Sequence, residues 1–351
     1  MERGICIFKI MDIKKLLTVD GGEQEDLFGL ANKVRKEEVG ENIYFRGIIE
    51  FANFCEKDCV YCGIRKSNEN VERFWMGEEE IIECLRFIHN AGYGSVVLQS
   101  GELQNDKFKN FLLDVVGYIQ KIYPDMGVTV SCGEFEYDYY KKLREAGAHR
   151  YLLRIETSSR SLFKKLHPDG DFETRYKCLL GLKELGYQVG TGIMTGLPGQ
   201  TDEDLVEDLK FFLENDFDMY GLGPYVVHED TPLVTENVKL EWEKNRSEIF
   251  NKTLNFIALM RIILKDVNIA AGTALDVFDP LGRMKALKAG ANVVMPSVTP
   301  RMYRDKYLLY QNKPCIDEDA EKCKDCMYNK VSAAGFKPML GVRGDSLHFK
   351  S

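Results

Sequence analysis

After residue 40 the chain alternates between segments patterned as strands and segments patterned as helices, and this alternation constrains the fold more than any single residue does. Residues 43–51 are rich in β-branched and aromatic side chains, as a strand requires. Glu78–Asn90 carries Ile81, Ile82, Leu85 and Ile88 on one helical face and stops at Gly92. Strand patterns recur at 95–99, 127–132, 150–155 and 188–194, with helices expected over 106–122, 135–146 and 172–185. Thr201 caps the next helix, with Asp204 at the capping-box position and Leu205, Leu209 and Phe212 as its buried stripe. A strand at 218–222, a long helix at 242–264, a strand at 268–271, a helix at 281–289 and a strand at 292–295 complete the series. Eight such units over about 250 residues predict an α/β chain forming a full (β/α)8 TIM-type barrel, although a doubly wound sheet shares the alternation. Residues 1–40 read as an N-terminal helical extension, with Leu27, Leu30, Ala31 and Val34 at helical spacing and Gly40 as its stop. Residues 41–299 form the barrel. Residues 300–351 read as a cysteine-containing C-terminal appendage covering one of its ends.

In barrels of this kind, chemistry gathers where the strands end, and the unusual residues of this sequence fall there. Cys55, Cys59 and Cys62 follow strand one in a CxxxCxxC run, with Tyr61 just before the last cysteine. Ser100, Gly101 and Glu102 follow strand two, and Cys132, Gly133 and Glu134 follow strand three. Arg154 and Glu156 straddle the end of strand four, and Met194 to Gly199 follow strand five. Thr273 and Met295 stand at the ends of strands seven and eight. A structural zinc site wants four protein ligands. Three thiolates on one loop can instead hold three irons of a cubane and leave the fourth open to a small molecule. The Ser-Gly-Glu turn offers a carboxylate to an ammonium, and Arg175 has the fork geometry of a carboxylate ligand, unless it is a solvated helix residue. Arg150 and Arg154 alternate onto one face of their strand, where a cation must bind a ligand or pair with Glu156 or Glu134.

Ten cysteines in metal-binding spacings fit a reducing, cytoplasmic setting better than a disulfide scaffold. Cys6, Cys84, Cys132 and Cys178 stand alone and read as small buried hydrophobes. A net charge of −8 speaks against a nucleic-acid grip. No apolar run is long enough for a membrane span, and the N-terminus lacks the signature of a signal peptide. Cys315, Cys323 and Cys326 form a second, looser trio with no obvious fourth protein ligand nearby. They admit a second cluster, [2Fe–2S] or [4Fe–4S], with zinc or free thiols as the alternative.

The CxxxCxxC spacing is that of radical S-adenosylmethionine (SAM) enzymes. The stretches Ile49 to Arg65, Val97 to Glu102, Arg150 to Arg154, Gly196 to Thr201, Phe217 to Met219 and Ala289 to Pro296 resemble the HydE-type maturases of the FeFe hydrogenases, as does the terminal cysteine trio. The resemblance implies a [4Fe–4S] cluster on Cys55, Cys59 and Cys62 whose open iron chelates SAM. It implies that Ser100, Gly101, Glu102, Glu156 and Arg175 hold SAM, with Tyr61, Met194 and Met219 also turned to the cofactor. Arg150, Arg154, Thr273, Met295, Tyr303, Tyr307 and Tyr310 would receive the substrate, although the tyrosines, at near-helical spacing, are by default packing residues. The implied reaction cleaves SAM reductively to a 5′-deoxyadenosyl radical and uses it on a cysteine-bound iron carbonyl–cyanide precursor of the hydrogenase H-cluster. An external low-potential electron donor and other hydrogenase maturation proteins follow as expected partners, with neither nucleic acid nor membrane.

Two rivals remain at the level of sequence. One is another radical SAM enzyme, such as a methylornithine synthase acting on a small amino acid. Biotin synthase fits less well, since only Cys132 offers a strand thiol inside the barrel. The other rival is a non-enzymatic iron–sulfur carrier, which needs no SAM pocket.

Overall fold

The protein was analysed as a computed structural model that describes residues 12–350, so Cys6 lies outside the described residues. Ten strands appear in chain order: β1 (Asn42–Ala52), β2 (Ser95–Ser100), β3 (Gly127–Ser131), β4 (Arg150–Leu152), β5 (Gln188–Thr191), β6 (Met194–Thr195), β7 (Met219–Pro224), β8 (Asn268–Ala271), β9 (Val293–Val294) and β10 (Lys337–Met339). Eight of them pair in parallel in the order β1-β2-β3-β4-β5-β7-β8-β9. β9 returns to β1 through Tyr44↔Val293 and Phe45↔Val294, which closes the barrel. Closure excludes the doubly wound sheet. It also explains the nearly continuous burial along β1, whose two faces are both covered.

The helices form as their sequences require. Glu78–Asn90 buries Ile81, Cys84, Leu85 and Ile88, so Cys84 serves the apolar face. Thr201 and Asp204 exchange capping hydrogen bonds at the start of Asp202–Asn215. Several boundaries differ from the pattern. The fourth strand stops at Leu152, because the backbone turns toward Glu156, which takes a left-handed φ of 65°. The fifth divides into β5 and β6. The long helix is two, Glu236–Lys244 and Arg246–Leu264, meeting at Asn245. The break is silent in the sequence because Trp242 and Ile249, on either side of it, pack into one apolar cluster. Helices Arg160–Leu166 and Ala320–Ala333 and strand β10 were not signalled by the patterning.

The tail touches both ends of the barrel rather than covering one. Near residue 309 it lies on the cysteine loop, with the Gly63 N–H donating to the Leu309 carbonyl at 2.9 Å. A β-carbon on Gly63 would stand 2.1 Å from the Leu308 carbonyl oxygen, so only glycine permits this approach. β10 then adds to the start of β1, and residues 343–348 run beneath the opening formed by the strand beginnings. There the Gly344 carbonyl accepts from Arg46 and Asn268, both at 2.9 Å. The Arg343 carbonyl accepts from Ser95 at 2.5 Å and Arg150 at 2.6 Å. Asp345 accepts from Arg150 at 2.5 Å and Gln188 at 2.8 Å. Residues 343–345 thus close the floor. None of the helices of the described residues is long and apolar enough to cross a membrane.

Candidate active site

The opposite opening is built around the loop after β1. Asn53, fully buried, bonds to the Glu72 and Lys306 carbonyls and accepts from the Phe74 N–H. Arg73 donates to four carbonyls, those of Asn53, Ile64, Arg65 and Asn68, at 2.6–3.1 Å, and so staples the loop that carries Cys55, Cys59 and Cys62. All three cysteines are half-buried and form no disulfide. Burial pushes the Cys62 thiol up to about 12 and raises Cys55 and Cys59 as well. The protons that burial favours on these thiols are the ones a bound metal would displace. The Glu102 N–H points at the Cys55 sulfur at 3.4 Å. Gly101 allows this closeness, since a β-carbon there would meet the Phe54 carbonyl oxygen at 2.2 Å.

Beside the cysteines stands a quartet of charges. Lys57 Nζ lies 3.3 Å from Glu102 and 3.6 Å from Glu134, and Arg175 Nε donates to Glu134 at 2.6 Å. Arg175 is buried, which removes the solvated-helix alternative. Burial raises the Glu102 carboxyl, Glu134 adds to that, and Lys57 opposes it. Glu156, strained in φ and buried, has Arg154 Nη2 at 2.9 Å, yet no donor is aligned on its Oε2 as a hydrogen bond. A strained, under-satisfied acid at a strand end has the character of a ligand-binding group.

The segment Leu166 to Asp169 braces this loop from the side. The Val60 N–H donates to the Leu166 carbonyl at 3.0 Å, and the Asp58 N–H to Asp169 at 2.9 Å. His167 lies between them, fully buried and stacked on Phe163. Its Nδ1 faces the Phe163 carbonyl at 3.1 Å, which can only accept, so Nδ1 carries the proton. Nε2 then accepts from the Tyr61 hydroxyl at 3.1 Å and from Arg175 at 3.4 Å. Burial and the Arg175 charge push this imidazole down to about 3, so it stays neutral. Tyr61, Met194 and Tyr310 pack together on the apolar cluster formed by Leu162, Leu166, Leu197 and Tyr225.

The remaining expected residues divide. Ser100 is buried with its hydroxyl on the Gly101 carbonyl, and Thr273 is half-buried beside Tyr310. Tyr307 is buried, with Lys313 over its ring at 5.1 Å and that lysine bonded to Glu50 at 2.5 Å. Three placements differ from expectation. Arg150 lies at the floor, occupied by Asp345, because alternation fixes the face of a strand residue but not its height. Met219, expected at the cofactor, is the first residue of β7 and meets Arg46 at 3.2 Å in the lower barrel. Tyr303 leaves the cavity altogether, stacked on Phe74 and bonded to Glu80 at 2.7 Å, because its helix ends at Arg304. Met295 lines a small cavity above the floor together with Met219, Thr129, Leu152 and Arg46. Arg46 was missed by sequence reasoning. It is buried, no carboxylate pairs with it among the described residues, and its Nε has no partner.

Comparison with known proteins gives the family of the chain and supports its fold. The radical SAM superfamily profile matches residues 49–212. The chain is 46% identical over 329 residues to the [FeFe] hydrogenase maturase subunit HydE of Thermotoga maritima, covering 93% of this chain and 90% of that one. It is 30% identical over 291 residues to a 3-methylornithine synthase of Methanosarcina acetivorans, covering 81% and 77% of the two chains. Among solved structures, a methylornithine synthase superposes with a TM-score of 0.79 at 24% identity, over 96% of this chain and 97% of that one. The maturase HydG of Carboxydothermus hydrogenoformans superposes with a TM-score of 0.77 at 19% identity, over 97% and 80%. At these identities the two structures speak for the fold alone.

Proposed function

Starting from a chain that belongs to the radical SAM superfamily and, within it, to the HydE-type maturases of the FeFe hydrogenases, we propose how its residues divide the work. Cys55, Cys59 and Cys62 hold a [4Fe–4S] cluster, and the stapled loop presents them together. With SAM bound, the cluster supplies a 5′-deoxyadenosyl radical by one-electron cleavage of the sulfonium. Glu102 and Glu134 accept the SAM ammonium, with Lys57 yielding its place between them. Arg175 takes the carboxylate, Glu156 a ribose hydroxyl, and Tyr61 and Met194 the apolar flank of the nucleoside. The sealed floor keeps water and oxygen from the radical and limits side reactions.

The substrate, in this reading, is the cysteine-bound iron carbonyl–cyanide precursor. The observation that carries it is Arg46, a buried cation with no carboxylate in ion-pair contact among the described residues and no partner on its Nε, which lines a small, mostly apolar cavity with Thr129 and Met295. A buried guanidinium is costly unless an anion joins it, and a cyanide-bearing iron is an anion of fitting chemistry. Arg154, Thr273, Tyr307 and Tyr310 line the approach from the mouth. Cys315, Cys323 and Cys326 serve a second cluster. A low-potential electron donor, other maturation proteins and the cytoplasm complete the setting, consistent with the nine cysteines of the described residues, none of which forms a disulfide.

An anaerobic turnover screen tests this, comparing the iron complex with candidate amino acids. SAM consumption with an adenosylated product from the iron complex is expected, and its loss in Arg46→Gln. Product from an amino acid, with none from the iron complex, contradicts the assignment.

A further inference from the structure

Asp208 is an exception on its own helix. The buried face of Asp202–Asn215 is otherwise apolar, formed by Leu205, Leu209, Phe212 and Leu213, yet Asp208 lies among them fully buried. No lysine, arginine or histidine pairs with it among the described residues, and burial pushes its carboxyl up to about 7. No donor is aligned on its Oδ2, although Thr157 stands nearby. A buried, uncompensated acid is costly, and an apolar residue at this position would avoid the cost. What the acid does instead is grip a turn in another part of the barrel.

Its Oδ1 accepts from the Ser158 N–H at 2.5 Å and from the Ser158 hydroxyl at 2.7 Å, across 50 positions of sequence. Ser158 comes two residues after Glu156, which holds a left-handed φ of 65°. A residue with a β-carbon keeps such a conformation only where its surroundings over-determine it. Glu156 itself is tied to the barrel, its N–H donating to the Gly192 carbonyl at 2.9 Å and its carbonyl accepting from the Met194 N–H at 3.2 Å. Beyond it, helix Arg160–Leu166 begins without a side-chain cap, so Asp208 supplies the anchor between the two. The approach to the Asp208 helix holds Met194 as well. Gln200 Nε2 donates to the Met194 carbonyl at 2.9 Å, and its Oε1 accepts from the Gly196 N–H at 2.7 Å. Residues 200–208 thus keep Glu156 and Met194 in register.

We propose that Asp208 is a positioning residue of the SAM site, holding Glu156 in its strained conformation at the mouth through Ser158. This rests on the reading that Glu156 meets a ribose hydroxyl, and the test keeps the two claims apart. In the metal-free chain, protection of the Ser158 amide from hydrogen exchange should fall at least about tenfold in Asp208→Ala, as a hydrogen bond to a charged group is lost. Asp208→Asn, which keeps an acceptor, should restore it. Unchanged protection in Asp208→Ala overturns the proposal directly. In the anaerobically reconstituted chain, equilibrium binding is then compared for SAM and its 2′-deoxy and 3′-deoxy ribose analogues. The unsubstituted chain should prefer SAM over one of the two by about tenfold or more, and Glu156→Ala should lose that preference. Asp208→Ala should reduce it to within roughly threefold, with iron content unaltered, and Asp208→Asn should regain it. A preference lost in Glu156→Ala but kept in Asp208→Ala overturns the positioning role alone. A preference that survives Glu156→Ala, or is absent from the unsubstituted chain, overturns the ribose reading and the positioning role with it. If Asp208→Ala takes up no iron, Ser158→Ala replaces it, since it leaves the acid in place and removes one of its two bonds. Roughly a threefold loss of preference is then expected, and an unchanged preference overturns the proposal.

Discussion

Arg150 and Arg154 leave the same short segment of chain four residues apart and end in opposite settings. Arg154 reaches the mouth, where Glu156 is close but imperfectly satisfied and the Lys57 ammonium sits between two carboxylates. Arg150 is fully buried at the floor, fixed by Asp345, Ser95 and the Arg343 carbonyl. The mouth keeps polar groups that a ligand can complete, whereas the floor spends the same residue types on closure.

The largest effect should come from the mouth. Cys55→Ala is expected to abolish reductive SAM cleavage, read as 5′-deoxyadenosine formed anaerobically, while Cys323→Ala leaves it in place. Comparable cleavage by the Cys55 variant would break the assignment. At the floor, Asp345→Ala strips the carboxylate from a buried guanidinium. It should lower stability by about 2 kcal/mol, because water reaches the half-exposed Asp345 and softens the loss. Denaturant unfolding measures this, with the cysteine loop still able to bind its cluster. The reverse result, normal stability with lost SAM binding, would mean that the two ends are not separate.

The brace beside the cysteines sharpens the contrast further. His167→Phe removes the acceptor of the Tyr61 hydroxyl and should raise the KM for SAM roughly fivefold, the worth of about one hydrogen bond. His167→Gln, which keeps an acceptor, should recover part of it, and iron content should be unaltered in both. A fall in iron content would mark His167 as a support of the loop and nothing more.

The smallest effect concerns pH. His348 lies between Asp266 at 2.7 Å and Asp216 at 2.9 Å, and its hydrogen bond to Asp266, with the charges of both carboxylates, raises its pKa against the opposing effect of burial. A raised folded value means that its stabilisation is complete below about 6.5, the ordinary histidine value, and fades as pH climbs through the folded one. Asp345 behaves in the opposite sense. Burial opposes its ionisation, but His149, Arg150 and Gln188 hold its carboxyl far below the usual range. Its contribution is present above about 3.9 and fades on acidification. Hydrogen-exchange protection factors over residues 341–350, corrected for the intrinsic pH dependence of exchange, should therefore fall in mild alkali and in strong acid, with no matching fall around His167.

Much of the mouth was legible because its chemistry is local. The cysteine loop, the Ser-Gly-Glu turn and Arg175 follow strands and helices whose periods are plain in the sequence. The floor was not legible, because its partners arrive from more than 150 residues away, as Gln188 with Asp345 and Arg150 with Asp345 illustrate. Tyr303, Tyr307 and Tyr310 misled for a related reason. Their spacing predicts one helical face, yet the helix covers only Arg301–Arg304, so Tyr303 packs outward while Tyr307 is buried. His167 and Arg73 lacked any signal, since a buried neutral imidazole and a guanidinium spent on carbonyls look like surface residues in a sequence.

Electron paramagnetic resonance of the anaerobically reconstituted, reduced chain, before and after adding SAM, addresses the open coordination position most directly. A signal dependent on Cys55, Cys59 and Cys62 whose g-values shift when SAM is added is the predicted result. Zinc in place of iron at that loop, or a cluster spectrum indifferent to SAM, would contradict it.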